Sequence, residues 1–172
     1  YLHNKDMEIN VWDRIIAFEG RMHEFIKAAY DYQDNTFHSH PGYYIDYFEM
    51  RLAQLQVLHN LHYEIKKIRK MPKQALVIAD YIMYMADYVV EMNIPNQQIE
   101  KLEEISEQMK QEELPKTREE FEGRALLYHI LMDLEEFLVY KKRFVNGLDE
   151  KKLRIYWKQE MEQKDSANEL QK

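Results

Sequence analysis

Residues 117–147 read TREEFEGRALLYHILMDLEEFLVYKKRFVNG, and this stretch decides the fold. It opens on Thr117-Arg118-Glu119-Glu120, where the threonine can cap an early backbone N–H and a glutamate three residues on can bond back. Leu127, Leu131, Leu134 and Leu138 follow at steps of four and three, and Phe121, Ile130, Phe137 and Phe144 widen the stripe. Asn146-Gly147 supplies a stop. The spacing predicts one long amphipathic helix.

The rest of the chain repeats this pattern. Over 5–34, Val11, Ile15, Phe18, Met22, Phe25 and Ala29 alternate steps of four and three beside Trp12, Ile16 and Ile26, which predicts a first helix. Turn chemistry follows over 34–42, with Pro41-Gly42 at its end. A second helix is expected over 43–69, carrying Tyr44, Phe48, Leu55, Leu58 and Ile65 on one stripe and stopping before Pro72. A third is expected over 73–92, closed by Asn93 and Pro95, and a fourth over 96–113, closed by Pro115. Asp149 can cap a last, mostly polar helix to 163, and 164–172 reads as a frayed polar tail. The expected fold is all-α: an up-and-down antiparallel bundle of four to five long helices plus a short C-terminal helix, one domain over 1–163.

Composition agrees. A length of 172 residues fits one domain, and only four glycines and four prolines leave long helices unbroken. With no cysteine there is no disulfide, thiol nucleophile, cysteine-ligated zinc or iron–sulfur cluster. Lys plus Arg is 24 against 31 Asp plus Glu, and the net charge of −7 repels a nucleic-acid backbone. The richest apolar window, 75–92, is interrupted by Asp80 and Asp87 and is not a membrane span. The start Tyr1-Leu2-His3, without methionine or a signal pattern, reads as a fragment of something longer.

No enzyme chemistry is written here. Glu-x-x-His, His-Glu-x-x-His and His-Asp are absent, the glycines are isolated, and Ser39, Ser106 and Ser166 lack a base and an orienting partner. His38 and His40 in the turn, and His59 with His62, are a weak metal signal, so no cofactor and no metal are expected. Several polar residues do fall on apolar stripes. Arg51 lines up with Phe48 and Leu55, His62 with Leu58 and Ile65, and the line Phe121, Arg124, Tyr128, Leu131, Glu135, Leu138 carries both a guanidinium and a carboxylate. Two readings follow: a satisfied polar layer that fixes helix register, or a site in which Arg51 or Arg124, with Tyr47 or Tyr128, receives an aromatic carboxylate.

The motifs Tyr43-Tyr44-Ile45-Asp46-Tyr47-Phe48-Glu49-Met50-Arg51, Leu114-Pro115-Lys116-Thr117-Arg118-Glu119-Glu120-Phe121-Glu122-Gly123-Arg124-Ala125 and Asp133-Leu134-Glu135-Glu136-Phe137-Leu138 carry a family resemblance. The chain resembles the C-terminal cytoplasmic domain of the bacterial putative aromatic acid exporter family, relatives of the fusaric-acid-resistance-like membrane proteins. That resemblance implies an N-terminal transmembrane region outside this chain and a location at the cytoplasmic face of the cell membrane. It implies no catalytic residue.

Basic clusters at Lys66-Lys67-Ile68-Arg69-Lys70, at Lys141-Lys142-Arg143 and at Lys151-Lys152-Leu153-Arg154 read as solvated helix ends that complement the macrodipole. If the resemblance holds, Lys66, Lys67, Arg69 and Lys70 have a sharper reading as contacts to an anionic membrane surface. The expected function is a regulatory, ligand-sensing or assembly domain of an exporter-like membrane protein; the alternative is a stand-alone helical interaction or oligomerisation module. Sensing predicts a cavity near Arg51 or Arg124. Assembly into a homo-oligomer predicts no cavity and an exposed apolar stripe on a long helix.

Overall fold

Pro72, Pro95 and Pro115 each stand in a joint between helices of the computed structural model, which describes residues 8–35, 41–68, 71–149 and, further on, 152, 153, 155 and 157. The joints separate α1 (Glu8–Asn35), α2 (Pro41–Lys67), α3 (Ala75–Ala86), α4 (Asn96–Gln111) and α5 (Arg118–Asn146). The described residues contain no strand, and the all-α expectation holds. The start of α5 is built as its sequence asks: Thr117 Oγ1 accepts from the Glu120 N–H at 3.1 Å. Glu120 in turn reaches back one residue further than a capping box requires, accepting from the Lys116 N–H at 2.9 Å.

Ring and side-chain contacts give the helix directions. Trp12 stacks on His62 while Tyr30 donates to Glu49, so α1 and α2 are antiparallel. Tyr43 meets Phe144 and the Gln54 amide donates to the Phe137 carbonyl at 2.8 Å, so α2 and α5 are antiparallel too. Tyr81 of α3 donates to the Gln98 carbonyl of α4 at 2.7 Å. α2 is the central element, packing most extensively on α1 and α5.

The main core is built by α2 to α5 alone. Val57 and Leu61 from α2, Ile78, Tyr81 and Met85 from α3, Leu102, Ile105 and Met109 from α4, and the leucine line of α5 close on one another. Burying these side chains at roughly 1.5–3 kcal/mol each supplies the driving force for folding. A second core holds Tyr43, Met50, Phe144, Val145, Leu148 and Trp157 at the far end of α5. Asp149 caps the stretch leading to Trp157, its carboxylate accepting from the Lys152 N–H at 2.7 Å. The remainder of the expected C-terminal helix, the tail over 164–172 and the turn carrying His38 and His40 lie outside the described residues.

Three expectations need correction. α3 ends at Ala86 instead of continuing to 92, and 87–95 forms turns. The cause is tertiary: the Lys141 ammonium of α5 donates to the Glu91 carbonyl, and the Tyr43 hydroxyl donates to the Glu91 carboxylate at 2.7 Å, which hold this segment against α2 and α5. On α2, Tyr44 is exposed, and Tyr43 takes the buried place beside it, because α2 packs against partners on two sides and no single stripe describes it. Phe121 is likewise exposed, bordering an open depression with Leu114 and Pro115 at the start of α5.

α1 stands apart from this arrangement. None of its residues belongs to the main core, and Met22 is its one fully buried side chain among those described. At about 42 Å, by 1.5 Å per residue, it is nonetheless one of the longest elements.

Candidate functional site

The residues singled out by sequence do not meet in one place. Arg51 and Tyr47 are adjacent turns of α2: the Arg51 Nε donates to the Tyr47 hydroxyl at 3.0 Å, its NH1 to the Gln54 amide oxygen at 2.9 Å, and its guanidinium lies 5.1 Å from the Tyr47 ring centre. Facing them from α5 is Lys141, only 4% exposed, with its ammonium 5.2 Å from the Phe144 ring and 5.7 Å from both the Tyr47 and Trp157 rings. Among the described residues no carboxylate lies within ion-pair distance of either cation. The space beside them, closed by Tyr88, Val89, Val90 and Asn93, is about 10 Å³, room for no more than one water.

Lys141 is the residue that sequence reading misplaced. It was expected among solvated helix ends, yet it continues the line Leu131, Leu134, Leu138 at the next step of three, and that step was the available signal. Burial first, and Arg51 second, push its ammonium down to about 8. Below that pH the lysine is charged in both the folded and unfolded chain, and the fold bears the cost of burying the charge. As the pH rises past 8 the native lysine loses its proton before the unfolded one does, so stability increases. The nearby Glu91 carboxylate favours the charged lysine and opposes part of this shift. Tyr43 and Tyr81, both raised by burial, reverse the trend above pH 10, where the unfolded tyrosines ionise first. Urea unfolding should therefore gain about 1–2 kcal/mol between pH 8 and 9.5, and Lys141→Met should flatten the profile; a flat wild-type profile would contradict this account.

Arg124 lies at the opposite end of α5. Its NH2 pairs with Glu120 at 2.7 Å and approaches Glu112 at 3.8 Å, its NH1 donates to the Glu113 carbonyl, and its buried Nε has no partner. A depression of about 530 Å³ opens beside it, lined by Lys73, Gln74, Glu112, Glu119 and neighbours. Tyr128 borders a smaller one of about 220 Å³ with Arg124 and Phe121. The Arg124 guanidinium is thus already engaged by carboxylates. Glu135 is exposed on the side facing α4 and pairs with neither arginine. His62 is buried against Trp12 at 4.9 Å, and burial, with Lys66 nearby, holds its imidazole below the usual range. Lys66 is exposed, and Lys67 pairs with Glu64 at 2.6 Å; Arg69 and Lys70 lie outside the described residues. No cluster of three or more metal-ligating side chains occurs among the described residues.

α1 carries a further exposed apolar surface. Phe18 is 40%, Phe25 46% and Tyr32 58% exposed, at heptad spacing along one edge of the helix. Val11, Ile15 and Phe18 with Leu55 border an open groove of about 320 Å³ between α1 and α2. No helix among the described residues is long and apolar enough to cross a membrane.

The family model of the putative aromatic acid exporter C-terminal domain matches residues 1–142. The chain belongs to this family. The exporter C-terminal domain is also 32% identical over 98 residues to the uncharacterized protein YqjA of Bacillus subtilis (strain 168), a match that takes in 57% of this chain and 30% of that protein. The chain thus spans under a third of this relative's length. The crystal structure of a putative membrane protein from Clostridium difficile 630 superposes with a TM-score of 0.69 at 26% identity, covering 81% of this chain and 86% of that one. The domain is therefore a helical C-terminal part of an exporter-like membrane protein family, and its family is not one of enzymes.

Proposed function

We propose that this exporter C-terminal domain is an assembly element, which joins copies of a membrane protein on the cytoplasmic side of the membrane. The observation that carries the reading is α1. A 28-residue helix stays outside the main core and keeps Phe18, Phe25 and Tyr32 each 40% exposed or more along one edge, even with Phe25 stacked on Phe48, an arrangement of apolar surface that marks an interaction face. The space beside Arg51, about 10 Å³, leaves no room for a ligand, and at the depression of about 530 Å³ beside Arg124 the guanidinium is already paired with Glu120. Sedimentation of the 172-residue chain from low micromolar to millimolar concentration is expected to move from one chain mass towards two. A single-chain mass throughout would overturn the reading.

The unneutralised Arg51 and Lys141 favour a second reading, recognition of an organic carboxylate after the 87–95 segment moves aside. Thermal unfolding with and without benzoate tests it. A rise in Tm that Arg51→Gln removes would establish recognition, and an unchanged Tm would dispose of it.

A further inference from the structure

The outer face of α1 has a charge order that selects its partner. Arg14, Ala17, Arg21, Glu24, Ala28 and Asp31 recur at steps of three and four, so they share one face, and all six are exposed. Read from one end the order is positive, small, positive, negative, small, negative. Read from the other end with the signs exchanged it is the same. None of the four charged residues is in an ion pair among the described residues, and Arg21 lies over the Phe18 ring at 5.5 Å instead of pairing with Glu24 one turn away.

We infer that the partner of this face is α1 of a second copy, running antiparallel about a two-fold axis between Met22 and His23. The inference rests on the assembly reading above and adds the register. About that axis Arg14 of each copy faces Asp31 of the other, Arg21 faces Glu24, and Ala17 faces Ala28, where the small side chains let the helices approach. Phe18 of one copy comes within two residues' rise, about 3 Å, of Phe25 of the other, which covers the exposed aromatic edge. Parallel pairing in register sets every charge against its own kind and is disfavoured. The register also orients the protein. Two copies whose membrane regions share one bilayer are related by an axis along the membrane normal, so antiparallel α1 helices lie across that normal rather than along it.

The absence of cysteine from the chain makes the test direct. Ala17→Cys chains are mixed with Ala28→Cys chains and oxidised. Antiparallel pairing is expected to give the mixed disulfide and little coupling of Ala17→Cys with itself, since those two sites are about 16 Å apart along the axis. Sedimentation supplies a second readout: Arg21→Glu and Glu24→Arg are each expected to weaken association about tenfold, and mixing the two variants to restore it, because every pair in the mixed dimer is again opposite in sign. Circular dichroism confirms that each variant folds, all these positions being exposed. Dominant self-coupling of Ala17→Cys, or no recovery on mixing, would overturn the register while leaving assembly standing. Absence of association in the parent chain would overturn both.

Discussion

Leu134→Ala is expected to destabilise the domain by about 3–4 kcal/mol and to lower its Tm by roughly 6–16 °C. Leu134 is 1% exposed and belongs to the main core, which side chains of α2, α3, α4 and α5 build together. A cavity left in a core that four helices build together cannot be closed by the movement of one of them alone. Met132, two residues earlier on α5 and 62% exposed, provides the control: Met132→Ala is expected to cost less than about 0.5 kcal/mol. Thermal and urea unfolding of the pair measure the difference. Equal effects would mean that the azimuth of α5 is wrong.

Trp157→Ala is expected to cost about 3 kcal/mol, although Trp157 lies beyond the five long helices. Its indole is buried among Tyr43, Met50, Phe144, Val145 and Leu148, and its Nε1 donates to the Tyr43 hydroxyl at 3.1 Å. The same ring is one of three facing the Lys141 ammonium. Its loss should therefore let water reach that lysine and shrink the gain in stability between pH 8 and 9.5. A large loss of stability with an unchanged pH profile would separate the indole from the lysine and contradict the described packing.

The two substitutions differ in how visible their positions were beforehand. Leu134 belongs to a line repeated every three or four residues, and such a line can be read without knowing the partner helix, because period alone assigns a face. Trp157 sits in a mostly polar stretch where only Leu153 and Met161 fall in line with it, too short a run to assign a face. The candidate site divides similarly. Arg51 with Tyr47 and Gln54 are neighbouring turns of one helix, and their association follows from spacing. Lys141 reaches them from 90 residues away, and only the antiparallel pairing of α2 with α5 brings it there. Arg124 and Glu135 lie on the same expected line as Tyr128, yet Arg124 turns to Glu120 while Glu135 faces solvent.

Helix class, the proline joints, the cap at Thr117 and the leucine line of α5 were determined by the sequence alone, because each depends on residues within a turn or two of one another. The end of α3 at Ala86, the burial of Lys141 and the position of α1 outside the core were decided by tertiary structure. The physical reason is the same in all three. A 3.6-residue period tells which side chains share a face, but a helix with an apolar stripe is equally satisfied by several neighbours. The choice among them belongs to long-range bonds such as Lys141 to Glu91 and to the volume that facing side chains must fill together.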